Sequence, residues 1–142
     1  SEYFNVYKKN IILLKNQKIY VELGRSLVGQ CGNLISRVLF TKNSYNKNYI
    51  ILDAGMTELI RPALYNSYHK TSNLTSIENK FKKYDVVGPL CESSDIFSKN
   101  IKLPFSKRDD ILRIHSCGAY GETMSSNYNL RNSIKSYYSD MI

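Results

Sequence analysis

The chain has no CxxC pair and only three cysteines, Cys31, Cys91 and Cys117, spread widely along its length. An odd, dispersed set supports neither a disulfide scaffold nor a zinc knuckle, and it fits a reducing compartment. Histidine is scarcer still, with only His69 and His115, which leaves a serine or cysteine triad little to draw on. The patterns GxGxxG, GxxxxGK[ST], HExxH and GxSxG are all missing, which removes the standard dinucleotide, P-loop, metalloprotease and hydrolase readings. No apolar run approaches the roughly 20 residues that span a bilayer. The first residues are charged and polar in patches, without a small-residue cleavage site. These absences point to a cytoplasmic chain with no membrane partner.

What is present is globular in character. The 142 residues carry 42% hydrophobic and 23% charged side chains, enough for one ordinary domain or part of a larger protein. The first residues read as mid-element, so a longer chain is expected. The net charge is +8, but the lysines are scattered among Asn, Ile and Tyr rather than gathered into a stripe. That argues against a nucleic-acid partner. Asn73-Leu74-Thr75 matches a glycosylation sequon and, without a secretion signal, reads as chance.

Periodicity divides the chain near residue 28. Residues 2–15 place apolar side chains at helical spacing, and "IYVELG" (19–24) reads as a short buried strand; together they form the αβ half of an α/β repeat. From there the texture turns to β. "NLISRVLFT" alternates, with Leu34, Val38 and Phe40 on one face and Arg37 and Thr41 on the other. "KNSYNKN" reads as a polar turn, and "YIILDAGM" as a strand entering a glycine turn. Pro62 is placed to open a short helix in "LIRPALY". Residues 66–83 read as a long loop. "YDVVGPL" and "DILRIHSCGAYG" are further strands, "KLPFSKRDD" is a turn, and the segment from 125 is an irregular tail. His115 is expected within its strand as a packed or surface residue; His69 has no assignable role.

The residues with chemistry stand beside turn formers. Arg25 follows Gly24 at a strand end, where backbone N–H groups can approach a phosphate. Arg61 and Tyr65 lie four apart and would share a helix face. They could grip a carboxylate through a two-pronged arginine and a tyrosine hydroxyl, although spacing alone favours an ordinary exposed pair. Cys91-Glu92 follows the turn pair Gly88-Pro89 at the end of an apolar run. Gly118 and Gly121 bracket Tyr120. Composition and spacing lead no further than a β-rich domain able to bind an acidic ligand.

Taken in order, "VELGRSLVGQCG", "ILDAGMTELIRPALYNSYH", "YDVVGPLCESSDIF" and "GAYGETMSSNYNLR" resemble the successive C-terminal motifs of the diaminopimelate decarboxylases. The resemblance runs from about residue 19 to 131. It implies a mostly β chain: residues 1–28 as the last helix and strand of a pyridoxal-phosphate-binding α/β barrel, and residues 29–142 as a C-terminal β domain, barrel or sandwich, that completes the active site. The cofactor-binding lysine is then expected outside these residues, so that the chain alone would be inactive. The implied cofactor is pyridoxal 5'-phosphate. Glu22, Gly24, Arg25 and Tyr120 would face it, while Arg25, Arg61, Tyr65, Glu92 and Tyr120 would bind meso-diaminopimelate and Cys91 would donate the proton. A thiol with an unperturbed pKa near ~8.5 is protonated at neutral pH and can do so. The family usually has proline where this chain has Leu23, and no role falls to Cys117. A homodimer with shared active sites is implied as well. A related decarboxylase acting on a carboxylated polyamine, or a non-catalytic remnant, are the rival readings.

Overall fold

Leu34, Ser36 and Val38 are buried while Ile35 and Arg37 are exposed, the alternation of a strand with one face on a core. The computed structural model describes residues 2–141. Six strands form one sheet: β1 (Leu34–Ser44), β2 (Lys47–Leu52), β3 (Thr71–Asn73), β4 (Phe81–Val87), β5 (Ile96–Pro104) and β6 (Ile111–Ile114), in the order β3-β6-β1-β2-β4-β5. Three short helices accompany them: α1 (Glu2–Asn10), α2 (Arg25–Val28) and α3 (Arg61–Tyr65). The edges β3 and β5 curl toward one another. Asn73 Nδ2 donates to Ser106 Oγ at 2.9 Å, and Ser76 Oγ donates to the Phe105 carbonyl at 2.8 Å, leaving a nearly closed barrel. Val38, Ile50, Leu52, Val86, Leu112 and Ile114 fill it, each fully shielded from solvent. Each contributes about 1.5–3 kcal/mol of apolar burial.

All neighbouring strands are antiparallel except β2 and β4, which run parallel. A parallel pair needs a long crossover, and here residues 53–80 supply it. That crossover carries α3 and β3, and with them Arg61, Tyr65 and His69. Pro62 sits in the first turn of α3, where its missing N–H has no helical partner to lose.

Several expectations change. The helix expected over 2–15 stops at Asn10, whose side-chain amide takes the Val6 carbonyl at 2.7 Å; an asparagine that bonds the backbone competes with helix continuation. The segment 19–24 is neither a strand nor buried. No described strand lies beside it to take its backbone hydrogen bonds, and a lone strand has no stable pairing. Phe40 does not share the face of Leu34 and Val38. A bulge between Val38 and Phe40 advances the register by one residue, so Phe40 lies opposite Ile51 and is 52% exposed.

The turn read over 42–48 shrinks to Tyr45-Asn46, both at positive φ, in the two-residue geometry that suits a twisted hairpin. The loop 66–83 contains β3 and the start of β4. β5 (Ile96–Pro104), unanticipated, takes in the first three residues of the supposed turn, Lys102 to Pro104. Its polar middle is an irregularity at Asn100, whose backbone N–H donates to the buried Asp85 carboxylate at 2.7 Å. His115 lies just past β6 rather than within it.

Leu52→Ala should therefore cost about 2–5 kcal/mol in urea unfolding, whereas Phe40→Ala should cost less than about 1 kcal/mol. Equal costs would place Phe40 in the core and remove the bulge.

Candidate active site

Arg25 opens α2, and its guanidinium reaches across the chain to donate to the Ala119 carbonyl while lying over the Tyr120 ring, 5.2 Å from the centroid. The two segments are laced together by Gly118 N–H to the Gly29 carbonyl at 3.1 Å and Cys117 N–H to the Gly32 carbonyl at 2.8 Å. Gly24 completes the group. A Cβ there would stand 2.6 Å from the Tyr120 hydroxyl oxygen, so only glycine lets the phenol approach this backbone. Gly24, Arg25 and Tyr120, distant in sequence, form one cluster.

α3 supplies a second cluster. Arg61 lies over the Tyr65 ring at 5.4 Å, as the spacing of four requires, and its Nε is buried without a hydrogen-bond partner among the described residues. His69 is 4% exposed, with Nδ1 2.9 Å from the His115 carbonyl, so Nδ1 carries the hydrogen and Nε2, also buried and unpartnered among the described residues, is an acceptor. Burial holds the His69 pKa below the usual imidazole range. Arg61 and Arg25 push the same way, against the opposing pull of the His115 carbonyl. Both arginine charges thus disfavour protonation of His69. An unpaired buried guanidinium N–H has the chemistry to donate to an anionic oxygen.

Cys91 and Glu92 occupy the loop between β4 and β5, with Cys91 exposed and Glu92 half-exposed. As the Gly88-Pro89 turn signal implies, the strand has ended before them: β4 stops four residues before Cys91, at Val87. The loop is organised by Asp95. Its carboxylate, 3% exposed, accepts Met56 N–H at 2.6 Å through Oδ1 and Leu90 N–H at 2.9 Å through Oδ2. Its backbone accepts from Gly88 at 2.9 Å and donates to the Glu92 carbonyl at 3.1 Å. Burial raises the Asp95 pKa, and the two amide bonds oppose that. Glu92 shifts the other way: the Ser94 amide, donating at 3.3 Å, holds its carboxyl below the ordinary range and keeps it anionic at neutral pH. No hydrogen bond or ion pair among the described residues joins Cys91 or Glu92 to Arg25, Arg61 or Tyr120. Glu22 is exposed and joins neither cluster. Cys117 is buried enough to push its thiol up to about 11, which keeps it protonated and inert.

This arrangement has known counterparts. Residues 4–118 match the C-terminal sheet domain of pyridoxal-dependent decarboxylases. The chain belongs to that family. Among curated relatives, the diaminopimelate decarboxylase of Bacteroides thetaiotaomicron is 54% identical over 140 residues, covering 99% of this chain and 36% of its own length. That of Zymomonas mobilis is 43% identical over 116 residues, covering 82% of this chain and 27% of its own. The crystal structure of diaminopimelate decarboxylase from Helicobacter pylori complexed with L-lysine superposes with a TM-score of 0.71 at 44% identity, over 76% of this chain and 26% of that one. The chain thus spans about a third of the length of the curated relatives it matches.

Within this pyridoxal-dependent decarboxylase domain, three residues that sequence reasoning passed over support the site. Asp95 is one. The others are Glu58, whose carboxylate accepts Gly55 N–H at 2.6 Å, and Arg131, which donates to the Asp53 carbonyl and lies 3.5 Å from Glu58. The visible signal was glycine at 55 and 88, both facing the Asp95 carboxylate.

His69 makes the domain pH-sensitive. Its folded-state pKa lies below the unfolded value near ~6.5, so the unfolded chain binds a proton first. Its stabilising contribution is present above that value and is lost as pH falls through the lowered folded pKa. The melting temperature should fall on acidification below about pH 6.5, and His69→Asn, which keeps the donor to His115, should flatten that slope. An unchanged slope would remove His69 from the site's titration.

Proposed function

We propose that this chain is the C-terminal part of a pyridoxal-phosphate-dependent enzyme that decarboxylates meso-2,6-diaminopimelate to L-lysine, a cytoplasmic step of lysine biosynthesis. Residues 1–28 would belong to the cofactor-binding α/β barrel, and residues 29–142 would form the β domain that completes the active site. The observation that carries the reading is the convergence of Gly24, Arg25 and Tyr120 in one cluster, with a second at Arg61, whose Nε is buried and unpartnered among the described residues. It is joined by 54% identity to a diaminopimelate decarboxylase along nearly the whole chain.

The residues fit the cofactor's anionic character. Gly24 leaves backbone room, and Arg25 and Tyr120 offer a cation and a hydroxyl beside it; Glu22 is assigned to the same surface by its place in the motif. When bound, pyridoxal phosphate supplies an electron sink for the electron pair left as carbon dioxide departs. The chain's own residues do the rest. Arg61, with Tyr65 beside it and Arg25 near, binds a substrate carboxylate through paired N–H donors. Glu92, held anionic by the Ser94 amide, binds the distal ammonium. Tyr120 contacts both substrate and cofactor. Cys91 Sγ gives its proton to the substrate's α-carbon. The exposure of the Cys91–Glu92 loop supports a homodimer whose active sites are shared, each loop reaching a neighbouring copy.

The test follows carbon dioxide release from meso-diaminopimelate by the full-length protein loaded with cofactor. Cys91→Ala should lower turnover ~100-fold or more while cofactor remains bound. Unchanged turnover would overturn the proton-donor role, and a wild type that binds cofactor yet ignores diaminopimelate would overturn the substrate.

A further inference from the structure

We propose that Asp95 is the positioning residue of the Cys91–Glu92 loop, its buried carboxylate locking that loop to the Gly55–Met56 turn and so fixing the thiol relative to the crossover that carries Arg61. The inference rests on the reading of Cys91 as proton donor.

The geometry is specific. Cys91 lies between Leu90, whose N–H is held by Asp95 Oδ2, and Glu92, whose carbonyl is held by the Asp95 N–H. Thus each neighbour of Cys91 is bonded to one residue. The other carboxylate oxygen leaves the loop altogether and takes the N–H of Met56, 39 residues upstream, at 2.6 Å. A second strut runs in parallel, Ser94 Oγ to Met56 Sδ at 3.6 Å. Arg61, at the start of α3, lies five positions after Met56, and Leu59 between them is buried in the core.

Two glycines make the lock possible. A Cβ at Gly55 would stand 2.8 and 2.9 Å from the two carboxylate oxygens, and one at Gly88 would overlap the carboxylate. The carboxylate therefore sits where two backbones have been cleared for it. Burying a charge to staple a loop is a poor route to stability alone, because apolar packing of similar volume usually does better. What a carboxylate does that an apolar group cannot is direct two N–H groups from separate segments at once. An asparagine offers one acceptor oxygen and turns the other contact into a donor facing a donor.

A double-mutant cycle on the full-length holoenzyme tests this, using wild type, Cys91→Ala, Asp95→Asn and the combination. If Asp95 acts through Cys91, Asp95→Asn should retain cofactor, lower kcat ~10–100-fold and increase the solvent deuterium isotope effect on kcat. The combined variant should then lose less than about twofold beyond Cys91→Ala. In the cofactor-free protein the amides of Met56 and Leu90 should exchange about tenfold faster in Asp95→Asn. Should Asp95→Asn fail to fold, Gly88→Ala, which intrudes on the same carboxylate without removing it, takes its place in the cycle with the same expectations. Losses that multiply in the combined variant, or an Asp95→Asn enzyme with wild-type kcat, overturn the positioning role while leaving the decarboxylase reading intact. A fully active Cys91→Ala overturns that reading, and this inference with it.

Discussion

The open end of this barrel depends on backbone N–H groups that no strand can satisfy. Where β2 leaves the sheet and where β4 turns into β5, the chain must bend through glycines, and the amides at those bends face inward. Carboxylates take them. Asp95 accepts Met56 and Leu90, Glu58 accepts Gly55, and Asp53 accepts Arg37 at 2.9 Å and Ser36 Oγ at 2.6 Å. Each unmade amide bond in such a place would cost about 1–3 kcal/mol, so these acidic side chains do for the loops what ladder partners do for the strands. Functional residues can then sit on irregular backbone without that backbone being loose.

That solution carries an electrostatic burden. Asp95 and Glu58 are both nearly buried, and the charge of Glu58 adds to the burial that raises the Asp95 pKa. The compensation comes from far along the chain: Arg131 reaches Glu58 and the Asp53 carbonyl, and Ser126 N–H donates to the Thr57 carbonyl at 2.9 Å. The segment after residue 125 is irregular in conformation yet is tied across the 53–58 turn. A tail with so little secondary structure is held by charge pairing, by backbone bonds and by Ile134, which packs against the core.

How much of this was legible in the sequence follows from how local each cause is. Alternation in "NLISRV" and "YIIL" depends on neighbouring residues and correctly marked β1 and β2; Pro62 correctly opened α3. Phe40 was misplaced because a single bulge inverts every side chain beyond it, and nothing in "VLFT" announces the extra residue. β5 was lost because Asn100 sits mid-strand, and its tolerance there depends on Asp85, fifteen residues away in another strand. The strand expected at 19–24 had the right composition, but a strand exists only with something to pair with. Among the site residues, the adjacency of Arg61 and Tyr65 was readable from spacing, whereas Gly24, Arg25 and Tyr120 could be joined only by the resemblance of their motifs, since about 95 residues lie between them. Asp95 went unseen for the same reason: its two amide partners belong to different loops.

The division of labour in the site now has a physical rationale. Anion-binding groups gain most when they are partly dehydrated and immobile, because low local dielectric strengthens an arginine's hold on a carboxylate. Arg25 and Arg61, the anion-binding groups proposed here, are both only partly exposed, and the buried His69 near which their charges act has its pKa lowered by burial. The proton donor proposed at Cys91 has the opposite need. It must meet a carbon that becomes basic only after carbon dioxide has gone, and a deeply buried thiol would be too weak an acid, as Cys117, pushed up to about 11, illustrates in the same domain. Cys91 is exposed instead. On the reading proposed here, the rigidity that burial would otherwise have given the thiol is supplied from beneath by a carboxylate that never touches the sulfur.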